Sequence, residues 1–159
     1  GDVVRFASYA PLLARRGHTQ WTPDMIYFDS TNVYLTANYF VQQLFGQNSG
    51  DRFLEMELDA SDDMRLAASS VLDSSTGDRI VKIVNGADES LEINIRLLGF
   101  VAGAPRKATK TVLTGPDADA VNEDGKPLVV KPEHSTETIK PVFTYTVPAN
   151  SLTVIRITR

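Results

Sequence analysis

The sequence predicts a mainly β fold, a β-sandwich, and three observations carry that expectation. Beyond residue 51, short segments alternate apolar with polar residues. Clusters of Ser, Thr, Asn and Gly stand between them, and no helical pattern interrupts them. A strand turns successive side chains to opposite faces, so alternation gives one buried face and one wet face. Several such strands at short intervals favour two packed sheets.

The elements follow in order. Phe53 to Leu58 alternates, and so does Leu91-Glu92-Ile93-Asn94-Ile95-Arg96-Leu97. Met64 to Leu72, Ile80 to Val84, Arg106 to Leu113, Val142 to Val147 and Leu152 to Ile157 are further candidate strands. Ser74-Ser75-Thr76-Gly77 and Asn85-Gly86-Ala87-Asp88 supply turn residues between neighbours. Asp117 to Pro127 is rich in Asp, Gly and Pro and reads as a long loop.

A different texture precedes Gly46-Gln47-Asn48-Ser49-Gly50-Asp51, the strongest boundary signal in the chain. Aromatic residues are dense there: Phe6, Tyr9, Trp21, Tyr27, Phe28, Tyr34, Tyr39, Phe40 and Phe45. Val3 to Tyr9 begins apolar and β-branched and reads as a buried strand. Pro11 argues against a helix running through it. Thr36 is placed to cap a helix over Ala37 to Phe45. Met25-Ile26-Tyr27-Phe28 is too short for its period to distinguish helix from strand. Residues 1–48 and 51–159 are thus expected to form separate units.

Composition sets broad limits. The chain has 159 residues, 42% hydrophobic and 23% charged, so a packed core is expected and global disorder is not. A net charge of -4 does not suggest a nucleic-acid partner, which favours a basic face. No apolar run is long enough to span a bilayer as a helix. Without cysteine, disulfides and thiolate metal sites are excluded, and the redox compartment stays open.

Three blocks then carry a resemblance. Ala7-Ser8-Tyr9-Ala10-Pro11-Leu12-Leu13, Trp21-Thr22-Pro23-Asp24-Met25-Ile26-Tyr27-Phe28-Asp29 and Tyr34-Leu35-Thr36-Ala37-Asn38-Tyr39-Phe40-Val41-Gln42 stand in that order. Together they resemble the closing segment of α-L-arabinofuranosidases of glycoside hydrolase family 51, in the branch with plant and gut-bacterial enzymes. Ile80 to Asn85 and Pro148 to Ile157 agree more loosely with strands of that family's C-terminal sandwich. The resemblance implies a (β/α)8 barrel followed by a jelly-roll-like β-sandwich. Val3 to Tyr9 would be the last barrel strand, Ala37 to Phe45 the last barrel helix, and residues 51–159 the sandwich. Localisation stays open, with a periplasmic or secreted parent favoured. No signal peptide is visible, which carries no information for a chain that begins inside a longer one.

The resemblance also bears on chemistry. Active sites of such barrels lie at the C-terminal ends of the strands, which places Tyr9, Ala10 and Pro11 near the rim of the sugar pocket. Many relatives carry a sugar-contacting glutamine at the position of Pro11. Proline has no side-chain donor or acceptor, so that contact does not carry over. Tyr9 and Trp21 are the candidate substrate-binding residues. For Tyr9, sugar contact and structural packing weigh about equally. For Trp21, packing between a loop and a core is favoured. The family's retaining reaction needs two carboxyl groups about 5 Å apart. The resemblance puts them on barrel strands four and seven, upstream of Gly1. No catalytic residue is therefore expected in this chain, and no turnover by the chain alone.

The remaining candidates read as structural. Glu55 and Glu57 share a strand face by spacing, where a solvated face is the better reading. His18 and His134 fall in different regions, without the local ligands of a zinc site. Asp59, Asp62 and Asp63, and Asp117, Asp119, Glu123 and Asp124, lack calcium-loop spacing. No metal or other cofactor is implied. No phosphate loop or nucleophile elbow is present. The expected partner is an arabinofuranosyl-containing oligo- or polysaccharide, met through the barrel, with neither nucleic acid nor membrane. A lone barrel strand cannot satisfy its ladder bonds, and exposed aromatic surface favours self-association. Ala37 to Phe45 should stay docked on the sandwich through Tyr39, Phe40 and Leu44. Two alternatives compete with the enzyme-piece reading. One is a carbohydrate-binding sandwich, which would need exposed, coplanar rings among Phe53, Phe100, Phe143 and Tyr145. The other, ranked lowest, is a purely structural interaction domain.

Overall fold

The computed structural model describes residues 6–61, 64–101, 103–123 and 125–159. Three short strands come first: β1 (Leu13–Arg15), β2 (Ile26–Phe28) and β3 (Val33–Leu35). They form a small sheet in which β1 runs parallel to β2, and β2 antiparallel to β3. Helix α1 (Ala37–Gln47) follows. Eight further strands complete the chain: β4 (Arg52–Phe53), β5 (Leu66–Asp73), β6 (Asp78–Asn85), β7 (Leu91–Arg96), β8 (Arg106–Thr114), β9 (Lys131–Ile139), β10 (Val142–Val147) and β11 (Ser151–Ile157).

The later strands make two layers. One is a six-stranded antiparallel sheet in the order β4-β5-β6-β11-β8-β9, and the other pairs β7 with β10. β11 pairs on both sides, with β6 and with β8, and all its residues but Arg156 are buried. Its alternate side chains serve two cores. Leu152 and Val154 join Ile80, Leu113 and Val130 against Phe40 and Leu44 of α1. Ile155 and Ile157 join Val81, Ile83, Ala108, Ile139 and Val147 against Ile93, Ile95, Phe143 and Tyr145. A strand covered on both faces reads as a near-continuous apolar run, as Leu152 to Ile157 does.

Helix α1 forms where the sequence predicts it. Thr36 Oγ1 accepts from the backbone N–H of Tyr39 at 3.4 Å, the N-cap arrangement that satisfies an otherwise orphaned donor. Phe40 and Leu44 lie one helical turn apart on the buried stripe, while Tyr39 is partly buried and meets Phe40 edge-on at 5.4 Å. The expected docking of the helix on the sandwich is therefore observed. Gly50, with φ +60°, turns the chain from α1 into β4, and a Cβ there would stand 2.9 Å from the Leu72 carbonyl oxygen.

Several expectations change. Val3 to Arg5 lie outside the described residues, and residues 6–9 form no strand. The strand expected over Phe53 to Leu58 shrinks to Arg52–Phe53, because beyond it only Leu54 N still reaches a β5 carbonyl, that of Ser70. β9 was not expected at all. No closed barrel is present among the described residues.

Candidate functional site

The segment from Pro11 to Thr36 is tied together by backbone bonds. Met25 N donates to Pro11 O at 3.2 Å and Ile26 N to Leu12 O at 3.1 Å, extending the pairing of β1 with β2. Thr36 Oγ1 donates to Met25 O at 2.7 Å, so the helix cap also anchors the sheet. Ala10-Pro11 and Thr22-Pro23 are cis. Tyr9 is half-buried, and its hydroxyl accepts from Asn38 Nδ2 at 2.7 Å in the first turn of α1. That bond fixes where the ring stands. Pro11 presents only its carbonyl.

The Trp21 ring stands outside its loop in this chain. It is 68% exposed, and only its backbone is held, by Thr19 Oγ1 at 3.1 Å. The polar residues around it explain why. Thr19 Oγ1 turns inward to the buried Asp24, 3.0 Å from Oδ2, while the Trp21 ring is left outside the loop. Tyr9 and Trp21 are not joined by any ring contact or hydrogen bond.

Asp29 is the electrostatic hub of this region and was missed by sequence reasoning. Its Oδ2 accepts from Tyr34 Oη at 2.7 Å, and its Oδ1 accepts from the backbone N–H groups of Thr31 and Asn32, each at 2.8 Å. The Tyr34 hydroxyl above all, then those two amides, hold its carboxyl well below the usual carboxylate range. Asp51 is also pushed down, by the Ser74 backbone N–H, and Asp73 by Ser75 and Arg156. A general acid needs the opposite shift, so these carboxylates suit fixed anions, not proton donors. The only sequence signal for the hub was the Asp-Ser-Thr-Asn turn.

The other candidates stay apart. Glu55 and Glu57 are both exposed. His18 is exposed, and His134 lies on β9 with Nδ1 2.8 Å from Thr111 Oγ1. Asp62, Asp63 and Asp124 fall outside the described residues, and among those described no group of three His, Cys, Asp or Glu could hold a metal ion. No described helix is long and apolar enough to cross a membrane.

The described residues thus form a two-layer β domain with a helix seated on its larger sheet. The chain belongs to the alpha-L-arabinofuranosidase C-terminal domain family, whose sequence model matches residues 1–151. It is 34% identical over 157 residues to alpha-L-arabinofuranosidase A of Aspergillus niger, covering 97% of this chain and 24% of that protein. Alpha-L-arabinofuranosidase 1 of Arabidopsis thaliana is 31% identical over 137 residues, covering 84% of this chain and 20% of that protein. Among solved structures, the arabinose-bound MgGH51 α-L-arabinofuranosidase superposes with a TM-score of 0.89 at 36% identity, covering 99% of this chain and 25% of that one. The Thermotoga maritima α-L-arabinofuranosidase in its arabinose complex shares the fold, with a TM-score of 0.75 at 24% identity, over 86% of this chain and 32% of that one. The chain thus spans about a quarter of the length of the curated relatives it matches.

Proposed function

We propose that this chain is the C-terminal part of a retaining α-L-arabinofuranosidase that removes terminal arabinofuranosyl residues from arabinose-containing polysaccharides. Residues 1–48 close the catalytic (β/α)8 barrel, and residues 51–159 form a jelly-roll-like sandwich that supports it. The nucleophile and the acid/base carboxylates come from the upstream barrel, and Tyr9 and Trp21 stand at the pocket rim. The family match over residues 1–151 carries this reading, together with its confinement to about a quarter of each relative.

The exposed apolar side chains support it. Phe6, Leu12, Leu13, Trp21 and Val33 in the N-terminal segment are each more than half exposed, and a barrel would cover them; Phe53, Leu98, Val101, Val121, Val129 and Val142 are similarly exposed on the sandwich. Left uncovered, the N-terminal face drives self-association. The binding-module alternative finds less support. Phe143 and Tyr145 pack into the core, and the Phe100 ring lies beneath Arg79 and Arg106, which leaves Phe53 as the exposed ring of that set.

Co-expression with the upstream barrel of a relative tests the proposal. The chain alone should not hydrolyse an aryl arabinofuranoside, and the pair should. Turnover by the chain alone at the rate of an intact enzyme would sink it.

A further inference from the structure

We propose that copies of this chain associate head to tail, the basic end of one sandwich docking on the acidic end of the next. The inference concerns the chain's own surface and does not depend on the catalytic reading above.

The strand register sorts the charges. Arg79 on β6 pairs with Ile157 on β11, which pairs with Ala108 on β8, and Arg106 pairs with Ile139 on β9. β10 opens at Val142, opposite Arg96 of β7. One end of the sandwich therefore carries Arg79, Arg96, Arg106, Lys107, Lys140 and Arg159. The acids nearest to them are committed elsewhere: Asp73 and Asp78 to Arg156, and Glu137 to Lys110. Arg96, Lys107 and Lys140 are exposed, and no described acid pairs with them. Arg79 and Arg106 both lie against the Phe100 ring, 4.1 and 5.3 Å from its centroid, and Arg106 Nε is buried without a hydrogen-bond partner. Two guanidiniums held against one ring, with no carboxylate paired to either, leave this end short of an anion.

Apolar surface accompanies the charge. A shallow groove of about 380 Å³ opens there, lined by Leu97, Leu98, Phe100, Lys140 and Val142. Leu98, Val101 and Val142 are each more than half exposed.

The opposite end has the complementary surface. It lies where Asn85, Ser151, Thr114 and Lys131 stand in one row across the large sheet. The β6–β7 turn there holds Asp88 and Glu89, and the β8–β9 loop holds Asp117, Asp119 and Glu123, all exposed. Val121 and Val129, in the same loop, are each more than half exposed. The seven residues of β11 separate the two ends. At about 3.3 Å per residue that is roughly 23 Å, more than twice the Debye length of about 10 Å in 0.1 M salt. The ends therefore do not neutralise each other within one molecule.

A partner for the basic end must supply carboxylates beside apolar side chains. The acidic loop of a second copy does so. Contact between unlike ends is heterologous, so it extends into rings or open chains and does not close as a two-fold dimer.

Sedimentation of the purified chain tests this. Mass should grow with protein concentration in low salt and fall in high salt. Association through the apolar N-terminal face would persist in high salt, which separates the two surfaces. Two neutralised variants follow: one carries Arg96→Gln, Lys107→Gln and Lys140→Gln, the other Asp117→Asn and Asp119→Asn. Each should weaken the salt-sensitive association by about tenfold, as for the loss of roughly two or three exposed ion pairs. All five positions are exposed, so both variants should keep the native circular dichroism spectrum. Mixed in equal amounts, they should stop at a heterodimer, because each keeps one working end. Leu98→Ser should weaken association severalfold. The proposal is overturned by growth that ignores salt, by loss of association in only one neutralised variant, or by a mixture that forms no heterodimer. Full association in Leu98→Ser also overturns it, as does a monomeric chain that sediments with phosphatidylserine vesicles through its basic end.

Discussion

Asn122, in the loop between β8 and β9, donates its side-chain amide to the main-chain oxygen of Leu35, the last residue of β3. One side chain thus links the small N-terminal sheet to the sandwich, across the sequence boundary at residues 46–51. Removing it should be felt on both sides. Asn122→Ala loses four hydrogen bonds and leaves the Val129 and Val130 amides without that acceptor. A stability loss of about 2–3 kcal/mol is expected, with hydrogen exchange accelerating at Val129, Val130 and β3. Exchange confined to the loop would show that the link to Leu35 carries no weight.

Phe40 and Phe45 give a contrast within α1. Phe40 is 7% exposed in the core shared with β11, while Phe45 is 42% exposed. Phe40→Ala should cost about 3–5 kcal/mol through the cavity it leaves. Phe45→Ala should cost about 1 kcal/mol or less. Urea midpoints measure both, and equal losses would contradict the docking of the helix through its buried stripe.

The β5–β6 hairpin should make stability acid-sensitive. Arg156 Nε donates to Asp78 at 2.7 Å and Nη2 to Asp73 at 2.5 Å, and the two carboxylates hold the guanidinium's pKa above its usual value. Asp73 is held low by Ser75 first and by Arg156 next. A carboxyl whose folded pKa lies below its unfolded value contributes stability that is complete above the unfolded pKa. That contribution fades as pH falls toward the folded one. Denaturation midpoints should therefore decline from about pH 5 downward, and Asp73→Asn should flatten the decline. An unchanged slope in that variant would assign the acid response elsewhere.

Lys82 gives the opposite sign. It is 5% exposed on β6, with Nζ 5.7 Å from the Phe45 ring centroid, and burial pushes its ammonium down. A lysine whose folded pKa is depressed weakens the fold while charged, and the penalty lifts as pH rises past the folded pKa. Lys82→Met should raise stability at neutral pH by about 1 kcal/mol and remove the alkaline gain. A destabilised variant would mean that the contact with Phe45 outweighs desolvation.

Much of the sandwich was legible because its signals are local or periodic. β7, β8, β10 and β11 lie within a residue of their expected ranges, and α1 starts at the residue after its predicted cap. β9 escaped because it is an edge strand whose outward residues, Glu133 to Thr136, are all polar, so no apolar period marks it. β1, β2 and β3 have three residues each, too few to show a period. The tie between Leu35 and Val130 was illegible for a different reason. Asn122 makes it, and no local pattern announces a residue whose task is to join distant carbonyls. In this chain the Trp21 ring stands outside its loop, because Thr19 and Asp24 take the inward positions.

The order of the large sheet has a consequence for biosynthesis. β6 and β8 flank β11, yet both leave the ribosome well before it. Until residues 151–157 emerge, the nascent chain holds two half-sheets, β4-β5-β6 and β8-β9, each with a raw inner edge. Synthesis proceeds at roughly 5–20 residues per second, so those edges stay unpaired for seconds in every molecule made. Chaperone demand, and the damage done by a premature stop codon, should therefore concentrate on the final few residues of this strand rather than scale with the length lost.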